Sequence, residues 1–293
     1  MSNEVAVFEE HRRALLLLAY RMLGDLGRAE DVVQEAWVRW QGQSGEVELP
    51  RAFLMKTVTR LCLNELDSAR ARREETRGDW LPEPVALHEA GLGKVELLDQ
   101  ISMAFLVLLQ RLTPAERAVL LLHEVFDLSH AEIAQHLQRS EAACRQLLAR
   151  AKENVSSQRR TLETSSEEHR RLLHAFVNAS GSGQADRMMA LLAEDAVMVI
   201  DTGPEGRRVG RIRNVGRPVL GARRIAAFLT ALASQRPDFG SSAERTLNGQ
   251  PAILRVKDGK AIAAILISVA QGRISHVFVQ ADPSRLRHVG LPS

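Results

Sequence analysis

Glu141, Arg145, Gln146 and Arg150 fall on one outward face of a helix expected from about residue 141. Each of these side-chain types can read or hold DNA: Arg pairs bidentately with guanine, Gln with adenine, and Glu accepts from cytosine. Three elements must position them. Thr113, Pro114 and Glu116 form a capping box with proline in the first turn, where its missing N–H costs nothing. Ala118, Leu121, Leu122 and Val125 follow at helical spacing. Ser129 and Glu132 form a second capping box ahead of Ile133, Ala134 and Leu137. Residues 138–140 make a tight turn. Ser140 can cap the last helix, whose Ala143, Leu147, Leu148 and Ala151 point inward. A short helix, a tight turn and a helix with a polar, basic outer face is the helix-turn-helix pattern. On these residues alone, a helical hairpin with a solvated basic face is the alternative.

The rest of the chain favours DNA. Net charge is only +3, but the basic residues are clustered. Arg139, Arg145, Arg150, Lys152, Arg159 and Arg160 face only Glu141 and Glu153 within 139–160, and seven basic residues face four acids in 51–77. Such patches attract polyanions. Cys62 and Cys144 lie on apolar faces of different helices and read as buried thiols of a reducing compartment, with no metal site expected. The start MSNEVAVFEEHRR is no signal peptide, and Ala14–Ala19 is too short to span a membrane, so a cytoplasmic protein is expected.

In order, residues 5–23 form an amphipathic helix. The next, about 28–41, buries Ala29, Val32, Val33, Ala36, Trp37 and Trp40 and exposes an acidic face suited to solvent or to a basic partner helix. Pro50 opens a long helix to about residue 75, with a basic end suited to phosphate or to the helix dipole. Residues 76–99, with Trp80, Pro82 and Pro84, read as an extended linker. A polar connector follows Ser156. The remainder is α+β: two helices over 167–193, strand-like 196–201 and 207–215, a helix over 221–234, and closing strands 252–256, 261–269 and 273–280, expected as a curved antiparallel sheet.

These residues resemble the extracytoplasmic-function (ECF) sigma factors of bacterial RNA polymerase. The first domain matches through GRAEDVVQEAWVRW and PRAFLMKTVTRLCLNEL, the second through LTPAERAVLLLHEVFDLSHAEIAQHL and SEAACRQLLARAK. WLPEP is close to a hallmark of the subgroup with a fused C-terminal SnoaL-like domain, which is recognised in AEDAVMV (taken as helical), RPVLGARRIAAFL and the closing strands. The resemblance implies two all-α sigma domains, 1–75 and 100–160, a 76–99 linker, and an α+β cone over 161–293. Core polymerase would bind Asp31, Gln34, Glu35 and Trp37. The minus-10 element would meet Arg60, Asn64 and Arg70. The minus-35 element would meet Ser140, Glu141, Arg145 and Gln146, with Arg150 and Lys152 on phosphate. An interdomain regulatory contact would join Trp80, Leu81, Pro82, Glu83 and Pro84 to Asp201, Gly203 and Gly206 of a diverged DGGG-type loop, and to Asp282, Pro283 and Leu286 of a diverged Asn-Pro-Asp-Lys-Leu-like motif.

SnoaL-like cones also house enzymes, whose chemistry needs a carboxylate base and an oxyanion donor. Asp186, Asp195, Asp201 and His276 are candidate bases, but the chain's single tyrosine, Tyr20, lies in the first domain. The expectation is a non-enzymatic, cofactor-free sigma factor, monomeric when free, with core polymerase and promoter DNA as partners and room for a small ligand in the cone. The rival readings are a one-component DNA-binding regulator and a SnoaL-type enzyme with a DNA-binding appendage.

Overall fold

The computed structural model describes residues 2–42, 47–73, 81–87, 89–90, 92, 102–156, 165–203, 208–209, 212–213, 217–235 and 238–290. The chain forms two compact units, one of residues 1–76 with 106–157 and one of 77–105 with 158–293.

The first unit is helical. It holds α1 (Ser2–Leu23), α2 (Leu26–Gln41), α3 (Pro50–Arg73), α4 (Met103–Arg111, from Leu106 on), α5 (Pro114–Glu124), α6 (His130–Leu137) and α7 (Glu141–Ser156). Asp25 starts α2 by accepting the Arg28 N–H at 3.0 Å. The stripe Leu26, Ala29, Val32, Val33, Ala36 and Trp40 is buried, and α1, α2 and α3 pack on one another. Both capping boxes form: the Thr113 and Ser129 hydroxyls accept from the Glu116 and Glu132 N–H, and each glutamate reaches back to its cap. Gln138 ends α6 in the left-handed region, at φ 53° and ψ 48°. Ser140 accepts the Ala143 N–H at 3.2 Å and starts α7. The two helical groups are not separate in this unit. Helix α5 packs on α1 and α3, and α6 packs on α3. The buried Arg117 guanidinium donates to the Leu109 carbonyl at 2.8 Å and to the Met22 carbonyl at the end of α1.

The second unit has α8 (Ser166–Gly181), α9 (Ala185–Leu191), β1 (Leu192–Asp201), the ribbon β2 (Arg208–Val209) and β3 (Ile212–Arg213), β4 (Val219–Leu220), α10 (Ala222–Ser234), β5 (Ser241–Leu247), β6 (Gln250–Lys257), β7 (Lys260–Ala270) and β8 (Arg273–Gln280). The main sheet runs β4-β1-β8-β7-β6-β5. It is mixed rather than antiparallel throughout, because β1 lies parallel to β8. AEDAVMV is part of β1 and not helical, and the 207–215 strand is two short strands. Strand β5, SSAERTL, is an edge strand whose mostly polar sequence hid it.

Alternation gives the sheet two faces. Met198, Ile253, Ile267 and Val277 join Leu172, Phe176, Met188 and Ile225 in the core beneath the helices. Leu254, Ala264, Leu266, Phe278 and Gln280 are buried on the opposite face, in register with one another and with Asp201. Residues 81–87 and the tail after β8 attach on that second side.

Candidate functional site

In the first unit, Glu30, Asp31, Gln34, Glu35, Val38 and Arg39 form the exposed face of α2. Val38 is 56% exposed, an apolar residue within an otherwise charged and polar surface. Trp37 is half-buried, its ring 4.9 Å from that of Phe8. It therefore braces this face more than it presents itself.

Of the expected minus-10 residues, Asn64 is exposed, Arg60 is half-buried, and the Arg70 side chain lies outside the described residues. One Arg60 guanidinium nitrogen is buried without a hydrogen-bond partner. Opposite, on α6, His136 is pulled below its usual value by burial, then by the charges of Lys56 and Arg60. Of these residues, Arg60 thus lies on the side of α3 toward α6.

On α7, Ser140, Glu141, Arg145, Gln146, Arg150 and Lys152 are all exposed. Ser140 spends its hydroxyl on the cap, and Arg145 leans on Glu141 at 3.3 Å. Lys152, expected on phosphate, is paired within the unit. Its ammonium lies 2.7 Å from the Glu124 carboxylate at the end of α5. Lys152, and behind it the His123 ring, hold the Glu124 carboxyl below its usual range against the opposing effect of burial. Lys152 ties α7 to α5; Gln146 and Arg150 are exposed on the outer face of α7.

The second unit gathers most of the other expected residues at one place. The Asp201 carboxylate, 5% exposed, accepts the Leu81 N–H at 2.9 Å, the Gly203 N–H at 2.9 Å and the Gln280 amide at 3.1 Å. Gln280 also donates to the Leu81 carbonyl at 3.3 Å and accepts the Asp282 N–H at 2.9 Å, which fixes its orientation. Arg285 donates to the same Leu81 carbonyl at 3.1 Å. Asp282 caps the 3-10 turn Pro283–Arg285 by accepting the Ser284 N–H, and Leu286 is buried beside it. Gly203 has φ +78°, and a Cβ there would stand 2.9 Å from the Asp282 carboxylate, so only glycine fits.

Further along, Val85 is held twice by Asn248: its N–H donates to the side-chain oxygen at 3.1 Å, and its carbonyl accepts the backbone N–H at 2.8 Å. Glu83, 1% exposed, has its carboxylate 2.6 Å from His288 Nδ1. The Ala86 N–H donates to the His288 carbonyl at 3.3 Å. Pro82 and Pro84 are buried and have no N–H to satisfy. Trp80 and Gly206 lie outside the described residues.

Asn248 and His288 were missed by the sequence reading, Arg285 was seen only as the basic residue of the diverged C-terminal motif, and Gln280 only as a strand end. Asn248-Gly249 reads as a hairpin turn, and both residues have positive φ as such a turn requires. That local role masks its second one. The candidate bases do not assemble. Asp186 and Asp195 are exposed, Asp201 is committed to the linker, and the His276 ring stacks on Phe278 at 5.7 Å.

Among the described residues no helix is long and apolar enough to cross a membrane. Two families match: Sigma-70 region 2 over residues 7–72 and Sigma-70 region 4 over residues 102–155. The ECF RNA polymerase sigma factor SigJ of Mycobacterium tuberculosis is 33% identical, over 96% of this chain and 93% of its own. The probable ECF RNA polymerase sigma factor SigI of the same organism is 32% identical, over 96% and 94%. The crystal structure of the Mycobacterium tuberculosis SigJ superposes with a TM-score of 0.74 at 29% identity, over 98% of this chain and all of that one.

Proposed function

The chain belongs to the ECF RNA polymerase sigma factors, and we propose that it directs core polymerase to promoters under restraint by its own C-terminal domain. Promoter-directed initiation is the work of the family. The exposed acidic face of α2 with Val38 is the polymerase-binding surface; Asp31, Gln34 and Glu35 make its contacts, braced by Trp37. Arg60, Asn64 and Arg70 meet the minus-10 element. Glu141, Arg145 and Gln146 read the minus-35 element, with Ser140 at the helix start and Arg150 on phosphate. The protein works in the cytoplasm as a monomer and carries out no catalysis of its own.

The observation that carries the restraint is the docked segment 81–87. It lies in the only covalent connection between regions 2 and 4. Minus-10 and minus-35 elements are about 25 base pairs apart, or about 85 Å along B-DNA. Tying residues 81–92 to the C-terminal domain removes about 40 Å of usable contour from the connection. The α6–α3 packing over Arg60 supports the same view, since both surfaces must part to meet separate DNA elements. The restraint is assigned to the docked linker, which the C-terminal domain holds at Leu81, Glu83 and Val85.

The test is transcription from a promoter library with core polymerase and either the full chain or residues 1–155. Promoter-specific transcripts that rise on truncation support restraint. Equal activity and equal DNA affinity would remove the C-terminal domain from the mechanism. Silence from both, with competent polymerase, would favour a one-component regulator.

A further inference from the structure

The contacts that hold residues 81–87 are those of a receptor for a peptide, and none of them depends on the peptide belonging to the same chain. Leu81 and Val85 have both backbone groups captured, by Asp201, Gln280 and Arg285 at one end and by Asn248 at the other. Main-chain capture of an extended segment gives affinity, and pockets for alternate side chains give specificity. Here Leu81 and Val85 are buried to 1% and 0% exposure. The residue between the prolines is read for charge, because the buried Glu83 carboxylate faces His288. A basic residue there would bury a cation beside the His288 ring in place of the carboxylate that faces it. Pro82 and Pro84 are buried with no N–H to satisfy, and they hold the segment extended at low entropic cost.

We infer that this surface is a peptide-binding site for extended segments of the form apolar-Pro-acidic-Pro-apolar, and that a partner protein carrying such a segment occupies it in competition with the linker. The inference rests on the proposed restraint by the docked linker, and it names the chemistry of what relieves that restraint. The linker, being tethered, competes at an effective concentration of about millimolar. A weak peptide therefore cannot displace it, and an activating partner must bring further contacts or a high local concentration.

The test uses the full chain with its own segment unseated by Leu81→Asp and Val85→Asp, and a fluorescent synthetic peptide covering residues 79–90. Anisotropy should show saturable binding to the unseated chain and binding at least tenfold weaker to the wild type. A peptide carrying Glu83→Lys should bind the unseated chain at least tenfold more weakly. This peptide-side change does not touch the fold of the protein. Thermal melting verifies that the unseated chain is folded, and Pro84→Gly serves as a gentler unseating variant. No saturable binding to either folded variant, equal binding to wild type and variant, or indifference to Glu83→Lys would each overturn the inference. Peptide binding without any activity difference between the full chain and residues 1–155 would instead overturn the restraint and leave the receptor standing.

Discussion

Asp201→Ala should loosen the linker without unfolding the domain that holds it. The carboxylate accepts three N–H groups while 5% exposed, one of them the Leu81 amide. Hydrogen bonds to a charged group contribute about 1.5–3 kcal/mol, and the loss is larger when a buried donor is left without a partner. The bonds to Gly203 and Gln280 lie within the C-terminal domain and persist when the linker leaves, so only the Leu81 bond counts towards docking. That sets the change in docking free energy at about 2–3 kcal/mol, or about 30- to 150-fold in the docking equilibrium. Native-state hydrogen exchange reads this directly. The Val85 and Ala86 amides, bonded to Asn248 and His288, do not touch Asp201. Their protection should still fall by that factor if 81–87 docks as one unit. Amides in the centre of β7 and β8 should keep theirs. Loss of protection at Leu81 alone would show that the segment is held piecewise and that Asp201 is no anchor. An equal fall across β7 and β8 would show that Asp201 stabilises the domain, not the docking.

Other consequences follow from single side chains. Arg150→Ala should lower the salt dependence of promoter binding by about one counterion, whereas Lys152→Ala should leave the slope nearly unchanged because that lysine is paired with Glu124; filter binding across salt concentrations separates them. Arg145→Ala or Gln146→Ala should each relax minus-35 base preference by about 1–3 kcal/mol at one position, scored by selection from a randomised promoter. Gln138→Gly should raise the melting temperature of the helical unit, since glycine removes most of the roughly 1–2 kcal/mol cost of the left-handed backbone at φ 53°, at some cost in unfolded-chain entropy. His169, buried in α8, is pulled down to about 4 by burial. The unfolded chain then binds the extra proton between about pH 6.5 and 4, so stability of the C-terminal unit should fall as pH drops through that window, by at most about 3 kcal/mol. Denaturant melts of the wild type and His169→Leu at pH 7.5 and 4.5 would refute this if both lost the same stability.

What could be read from the sequence was what short-range chemistry decides. Thr113-Glu116 and Ser129-Glu132 satisfy their own helix ends three residues apart, so α5 and α6 were legible without any knowledge of what they pack against. The stripe on α2 was legible for the same reason. Strand β5 was not, because at the edge of a sheet only alternate positions are covered and SSAERTL needs little apolar character. Residues 196–201 were legible as strand, but the start of β1 at Leu192 and its parallel pairing were not, because the partner β8 lies some eighty residues away.

The surface that holds residues 81–87 shows the same division more sharply. Leu81 bonds Asp201, Asp201 bonds Gly203, Glu83 faces His288, and Asp282 and Leu286 lie in the tail beside them. Their convergence came from a family resemblance and not from any local pattern, since the partners lie about 120 to 200 residues apart in the chain. The side chains that complete the site have another local role as well: Asn248 closes a hairpin that went unread with β5, Gln280 ends a strand, and Arg285 sits in a one-turn helix. Each performs that local task with its backbone and leaves its side chain, or a spare N–H, for the linker. Pro82 and Pro84 were misleading in the opposite direction. Alternate prolines signal a segment that makes few backbone hydrogen bonds, which suits a free linker. It suits equally a bound segment whose receptor needs only the groups on Leu81 and Val85. What distinguishes the two is Glu83, a carboxylate at 1% exposure facing a histidine. A free linker would have no reason to bury it, and that burial is why the stretch belongs to the C-terminal domain as its ligand.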